Sequence, residues 1–224
     1  PVTGELTFRA NVEFADEPVD MRIHPGGAFA YVLLPGAESV VICTVDAGSG
    51  ALSAPAPFPF GSLPRGMDMD AAGKTLYVTT DTVVSAYTIL DSGGLNLHSS
   101  AATEADGWTV AVDLLGRALY VAAGHNIATH AIDPLSGQLG EADLVAAPGA
   151  GPVALDPSGR FLVASTGTFG VSLSVYAINA HTGRLTSGDS FLVDGAPQAI
   201  AFSKSGRMLY MTNGESVHPY SVDE

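Results

Sequence analysis

Residues 113–120 read DLLGRALY, a tight turn followed by the start of an apolar strand. An Asp three positions before a Gly is typical of such a turn, because the carboxylate accepts backbone N–H groups and Gly adopts positive φ. Four similar stretches are HPGGAFAY at 24–31, DAAGKTLY at 70–77, DPSGRFLV at 156–163 and SKSGRMLY at 203–210. Their turn glycines recur every 43–47 residues, so the chain is a fivefold repeat.

A second turn keeps the same period. It reads TGEL at 3–6, SGAL at 49–52, GGL at 93–95, SGQL at 136–139 and TGRL at 182–185. An Asp or Asn precedes four of these turns, and we interpret Asp46, Asp91, Asp133 and Asn179 as turn residues rather than metal ligands.

Short apolar runs between the two turns indicate four strands per repeat. One such unit cannot bury both of its faces, whereas units packed radially can. The sequence therefore predicts an all-β fold, a β-propeller of about five four-stranded blades that forms a single domain over residues 1–224.

The two ends of the chain read as parts of one blade. Residues 222–224 followed by residues 1–6 resemble the stretch IDPLSGQL at 132–139. We therefore expect the N-terminal strand to complete the C-terminal blade and close the ring. A piece of a longer array would show the same pattern, so a seven-bladed parent remains an alternative.

Charge and composition exclude several classes of partner. The chain of 224 residues carries 23 acidic and 9 basic residues, a formal charge of −14. Nucleic acid is excluded as a partner, because it binds through clustered Lys and Arg. No run of about 20 apolar residues is present, so we expect no membrane span. The six histidines and the single cysteine lack ligand spacing, so we expect neither a metal nor another cofactor.

The strand after the first turn carries a family resemblance. YVTT at 77–80, YVAA at 120–123 and YMTN at 210–213 closely resemble the YVTN repeat. Together with the Thr-Gly-x-Leu turns, they make the chain similar to the lactonase-type propellers, which include bacterial 6-phosphogluconolactonases and related surface or periplasmic proteins. The resemblance covers the whole chain. It implies a propeller, usually of seven blades, and a location that is extracellular, at the cell surface or periplasmic.

The resemblance is incomplete where the lactonase members carry their chemistry. They open an inner strand with Pro-Arg-His, and here Pro64 and Arg65 are followed by Gly66. Lactone hydrolysis needs a group that activates water as well as positive charge for the oxyanion, and this opening offers only the charge.

We therefore predict a non-catalytic binding or assembly module, with a protein or surface partner or a small anionic ligand. The alternative is a lactonase-type hydrolase acting on a sugar or carboxylate lactone, with Arg65 as the anion-binding residue and a base not evident in the sequence. A third hypothesis is one propeller domain of a larger surface protein, in which lateral contacts carry the function.

Alignment of the repeats places one column of residues at the start of the inner strands. Its members are Val19, Arg65, Trp108, Gly151 and Gln198. In a propeller this column lies near one mouth of the central channel, where ligands of this fold often bind. Arg65, Trp108, Gln198 and the neighbouring Asp20 are the candidate binding residues. The alternative is that Arg65 is solvated or paired and that Trp108 fills a narrow channel.

Three positions further along, adjacent repeats carry Arg22 and Asp68 where the other repeats have Ala. Charges between packed sheets are usually paired for solvation. We therefore predict that Arg22 and Asp68 form a structural ion pair rather than a ligand site.

Overall fold

The computed structural model describes residues 8, 11–53, 55–103, 107–167 and 171–223, and this part of the chain folds into five antiparallel sheets. Sheet 1 contains β1 (Asp20–Ile23), β2 (Phe29–Leu34), β3 (Ser39–Thr44) and β4 (Ala56–Pro59). Sheet 2 contains β5 (Pro64–Met69), β6 (Thr75–Thr80), β7 (Val83–Ile89) and β8 (Leu95–Ala102). Sheet 3 contains β9 (Gly107–Val112), β10 (Ala118–Ala123), β11 (Asn126–Ile132) and β12 (Leu139–Ala146).

The last two sheets follow the same plan. Sheet 4 contains β13 (Val153–Leu155), β14 (Phe161–Thr166), β15 (Ser172–Ile178) and β16 (Leu185–Leu192). Sheet 5 contains β17 (Ala199–Phe202), β18 (Met208–Thr212) and β19 (Val217–Ser221). In every sheet, strands that follow one another in sequence are neighbours in space. The N-terminal strand predicted to complete sheet 5 falls on residues 1–6, which lie outside the described residues.

The first repeated turn has the predicted chemistry. The Asp113 carboxylate is buried and accepts the backbone N–H groups of Leu115 and Arg117. Gly116 adopts a φ of 67°, which a residue with a Cβ rarely takes. Arg117 Nε also lies 2.7 Å from Asp113 Oδ2, which adds an ion pair within the turn.

The core consists of the layers between neighbouring sheets. Tyr120 of sheet 3, for example, packs with Leu162 of sheet 4 and is fully buried. Its hydroxyl donates a hydrogen bond of 2.8 Å to the carbonyl of Gly183 in the second turn of sheet 4. Sheets 3 and 4 thus bury their facing sides against each other, as the repeat predicts.

The first strands of the sheets form the centre of the molecule. β1, β5, β9, β13 and β17 pack side by side in that order and line a common cavity. The prediction of an all-β propeller with five blades is confirmed. Among the described residues, no helix is long and apolar enough to cross a membrane.

Candidate functional site

The central cavity is lined by the inner strands of all five sheets. Its volume is about 370 Å³, and its polar lining consists of Asp20, Arg22, Arg65, Thr109 and Gln198. A second cavity of about 360 Å³ shares Arg22 and Thr109 with the lining of the first. Arg22 therefore lines both cavities.

Arg65 and Trp108 meet at the mouth of the cavity. They lie on adjacent inner strands, and the Arg65 guanidinium carbon is 5.1 Å from the centroid of the Trp108 ring, a cation–π contact. The Trp108 side chain is 58% exposed, so it forms the rim of the cavity rather than filling the channel. The pair presents positive charge and a flat apolar surface to one opening.

Asp81 also contacts Arg65, although the sequence analysis did not select it. Its carboxylate oxygen Oδ1 lies 3.9 Å from Arg65 Nη2, and its carbonyl accepts the N–H of Gly107 at 3.0 Å. Asp81 occupies the β6–β7 turn with a φ of 30°, where the matching turn of sheet 3 has Gly124. An Asp at a turn position that favours Gly was the one feature of the sequence that could have pointed to Asp81 as a site residue.

Gly66 marks a close approach between two inner strands. A Cβ at this position would lie 2.8 Å from the carbonyl oxygen of Trp108 and 3.2 Å from the Cα of Thr109. Both atoms belong to backbone, which cannot move aside as a flexible side chain can. The packing of β5 on β9 therefore leaves no room for a side chain at position 66 unless the backbone of β9 shifts.

Arg22 is held by two carboxylates. Its Nε lies 3.2 Å from Asp68 Oδ1, the pair expected from the sequence, and its Nη1 lies 2.5 Å from Asp20 Oδ1. The second oxygen of Asp68 accepts the backbone N–H of Val112 at 2.9 Å, which ties three neighbouring inner strands together.

Burial raises the pKa of Asp20, and the adjacent Arg22 and the backbone N–H of Met21 act in the opposite direction. Asp20 is thus both a partner of Arg22 and the acidic group of the cavity lining.

Gln198 lines the same cavity from sheet 5. Its side-chain amide lies against Gly214, where an added Cβ would be 2.8 Å from the Gln198 Nε2. All four candidate binding residues therefore line one cavity, with Arg65 and Trp108 in direct contact.

The histidines lie apart from this cavity. His130 is buried in β11, and its Nδ1 lies 2.9 Å from the carbonyl oxygen of Gly140. Burial lowers the pKa of His130, so its ring is neutral at physiological pH. Within the described ranges, no three His, Cys, Asp or Glu residues come together as a metal site.

The five sheets and the central cavity define a β-propeller with a ligand-sized opening on its axis. Residues 138–224 match the family described as Lactonase, 7-bladed beta-propeller. The predicted likeness to the lactonase-type, 6-phosphogluconolactonase-like propellers is confirmed. The described residues form five blades, in contrast to the seven of the family description. No curated protein sequence matches the chain.

Three solved structures illustrate the range of propellers with this fold. A Bacteroides fragilis protein, provisionally assigned as a 6-phosphogluconolactonase, aligns with a TM-score of 0.79 at 18% identity, covering 92% of this chain and 66% of that one. The Pseudomonas aeruginosa periplasmic gluconolactonase PpgL aligns with a TM-score of 0.66 at 21% identity, covering 91% and 56%. The β-propeller domain of Cps50 (Swd1) from Myceliophteria thermophila aligns with a TM-score of 0.76 at 14% identity, covering 95% and 73%.

These likenesses concern the fold alone. The chain spans 66% and 56% of the lengths of the Bacteroides and Pseudomonas proteins, less than two thirds of either. An activity of either whole protein therefore does not follow from the likeness.

Proposed function

We propose that this chain is a non-catalytic binding module that takes a small carboxylate-bearing ligand at the mouth of its central cavity. The observation that carries the proposal is the stacked pair of Arg65 and Trp108 beside Gly66. The pair provides an anion-binding group and a flat surface, while the adjacent backbone leaves no room for the His of the lactonase members.

The chemistry of the cavity selects the ligand class. A guanidinium binds a carboxylate through charge-assisted hydrogen bonds, and the exposed Trp108 ring can cover the apolar face of a sugar or another ring. The volume of about 370 Å³ lies at the lower end of the range for small-molecule sites. Asp20 is already paired with Arg22, which limits its repulsion of an anion. A sugar acid fits these properties.

Intrinsic fluorescence offers a direct test, because Trp108 is the only tryptophan of the chain. Titration with gluconate is expected to change the Trp108 emission in a saturable way. Arg65→Gln should weaken binding about 10-fold or more, because a charge-assisted hydrogen bond is lost. Arg160→Gln, at an exposed turn of sheet 4, is the matched control and should bind as the wild type does. An unchanged affinity in Arg65→Gln would contradict the proposal.

The second candidate is a lactonase-type hydrolase, and one observation favours it. Asp20 lines the same cavity as Arg65, and burial raises the pKa of its carboxyl group, the direction that general-base catalysis at neutral pH requires. In this alternative Asp20 would activate water and Arg65 would stabilise the oxyanion.

Hydrolysis of glucono-δ-lactone separates the two functions. Acceleration above the spontaneous rate that disappears in Asp20→Asn, while gluconate still binds, would establish the hydrolase. Binding of gluconate without acceleration supports the binding module.

We also infer a location outside the cytoplasm or at the cell surface. The formal charge of −14 favours solubility in such a setting, and one of the structurally similar proteins is a periplasmic gluconolactonase. Detection of the native protein only in the cytoplasmic fraction of the source cells would contradict this inference.

A further inference from the structure

The charged groups at the central cavity are unequal in number. Arg65 Nη2 lies 3.9 Å from the carboxylate of Asp81. Arg22 contacts two carboxylates, those of Asp20 and Asp68. Among the described residues, two guanidinium groups thus face three carboxylates. This network carries an excess of negative charge before a ligand binds.

The same excess extends over the end of the propeller at which the inner strands begin. Described carboxylates lie there in the turns between second and third strands and in the connections that lead into first strands. They are Asp16, Glu17, Glu38, Asp81, Asp194 and Glu215. The described Lys and Arg residues other than Arg22 and Arg65 occupy turns at the opposite end, and they are Lys74, Arg117, Arg160, Arg184, Lys204 and Arg207.

This distribution of charge affects an anion and a zwitterion differently. A ligand whose only charge is a carboxylate gains from Arg65 but adds to the negative excess around it. Pairing of Asp20 with Arg22 reduces the repulsion without removing it, because Arg22 is shared with Asp68. A ligand that also carries a positive group adds no net charge, so the surrounding carboxylates do not oppose its binding.

Asp20 provides an acceptor for such a positive group. The backbone N–H of Met21 and the guanidinium of Arg22 both bond to Asp20 Oδ1, at 2.7 and 2.5 Å. Within the described part of the chain, Asp20 Oδ2 accepts no hydrogen bond. The side chain lines the cavity and is 29% exposed. A ligand can therefore reach this second oxygen.

The charge of Asp20 is also incompletely stabilised by the protein. Burial raises the pKa of its carboxyl group, although Arg22 and the N–H of Met21 act in the opposite direction. A cation beside the carboxylate would favour its ionised form. Asp20 thus has both an open oxygen and an unmet need for positive charge.

We propose that the preferred ligand carries an ammonium group in addition to its carboxylate, with the carboxylate on Arg65 and the ammonium on Asp20. The ligand class is a small zwitterion, of which an amino sugar acid is the closest match to the cavity. This inference rests on the proposed function, because it takes the mouth formed by Arg65 and Trp108 as the binding site.

Three related probes test the inference through the fluorescence of Trp108. Gluconate and 2-amino-2-deoxygluconate differ only by an ammonium in place of one hydroxyl. In 6-amino-6-deoxygluconate the ammonium lies at the far end of the molecule, so the two amino derivatives cover both spacings. At neutral pH at least one of them should bind the wild type about 10-fold more tightly than gluconate, because a charge-assisted hydrogen bond is gained.

Two variants assign the preference to Asp20. Asp20→Asn keeps the shape of the side chain and removes its charge, so the preference should fall to about 2-fold or less. Glu38→Gln is the matched control, because it removes the same charge from the same end of the propeller at a turn outside the cavity lining. It should retain the preference of the wild type. Each preference is a ratio of affinities within one protein, so a partial loss of folded protein does not alter it.

The outcomes separate this inference from the proposed function. Gluconate that binds as tightly as both amino derivatives would overturn the inference and leave the proposed function in place. A preference that persists in Asp20→Asn would overturn the role of Asp20. Wild type that binds none of the three probes would overturn both the proposed function and the inference. Glucosamine has the ammonium but no carboxylate, and its binding as tightly as 2-amino-2-deoxygluconate would contradict the carboxylate site itself.

Discussion

Replacing Tyr120 by Phe tests the hydrogen bond that connects sheet 3 to sheet 4. The substitution removes one oxygen and leaves the buried ring in place, while the carbonyl of Gly183 loses its donor at 2.8 Å. A buried hydrogen bond of this kind contributes about 1–2 kcal/mol once the unsatisfied carbonyl is included. For a chain of this size that loss corresponds to a melting midpoint lower by roughly 2–8 °C.

Tyr210→Phe is the matched control, because Tyr210 occupies the same position of the repeat in sheet 5. Its side chain is 41% exposed, so its hydroxyl is hydrated in both the folded and the unfolded state. The melting midpoint should therefore change by less than about 1 °C in dilute protein. Differential scanning calorimetry of both variants beside the wild type gives the comparison. Equal shifts in the two variants, or no shift in Tyr120→Phe, would refute the role assigned to the contact with Gly183.

Three further outcomes are expected. Gly66→Ala should lower the free energy of unfolding by about 1–3 kcal/mol, measured by urea unfolding, because its Cβ would overlap the carbonyl of Trp108. Burial alone would raise the pKa of Asp113, but hydrogen bonds from the Arg117 side chain and from backbone N–H groups lower it overall. The stability contributed by that carboxylate is therefore fully present above the ordinary Asp pKa and is lost as pH falls through the lower pKa of the folded state. Asp113→Asn should cost about 2 kcal/mol at neutral pH, and its melting midpoint should fall less steeply with acid than that of the wild type. Asp81→Gly should raise stability by up to about 1 kcal/mol in calorimetry through relief of the positive φ, and an unchanged or lower midpoint would argue against strain at that turn.

Much of the fold could be predicted because its information is local. Each turn needs an acceptor and a residue of positive φ, and Asp113 with Gly116 supplies both within four residues. The regular spacing of these turns then sets the number of strands and sheets. It also places Arg22 and Asp68 at one level on neighbouring inner strands, where their side chains meet at 3.2 Å.

The site was only partly predictable, because alignment of the repeats gives the level of a residue along the channel but not its contacts. Arg65 and Trp108 could be selected as neighbours at the mouth of the cavity. The contact of Asp81 with Arg65 could not be predicted in this way. It joins a strand to a turn of the same sheet, and the distance between the two charged groups depends on the rotamers of both side chains. The pairing of Asp20 with Arg22 likewise depends on how β1 approaches β5.

The sequence by itself determined that this protein is a repeat of short antiparallel strands, which residues form the turns and which side chains face the axis. Only the tertiary structure decided that no side chain fits at Gly66, since that exclusion comes from the backbone of the adjacent sheet. Tyr120 and Tyr210 lie in the same sequence context, yet one is fully buried and the other is 41% exposed. The difference arises because burial is a property of the neighbouring sheet, and no pattern within a single repeat specifies whether that neighbour is present.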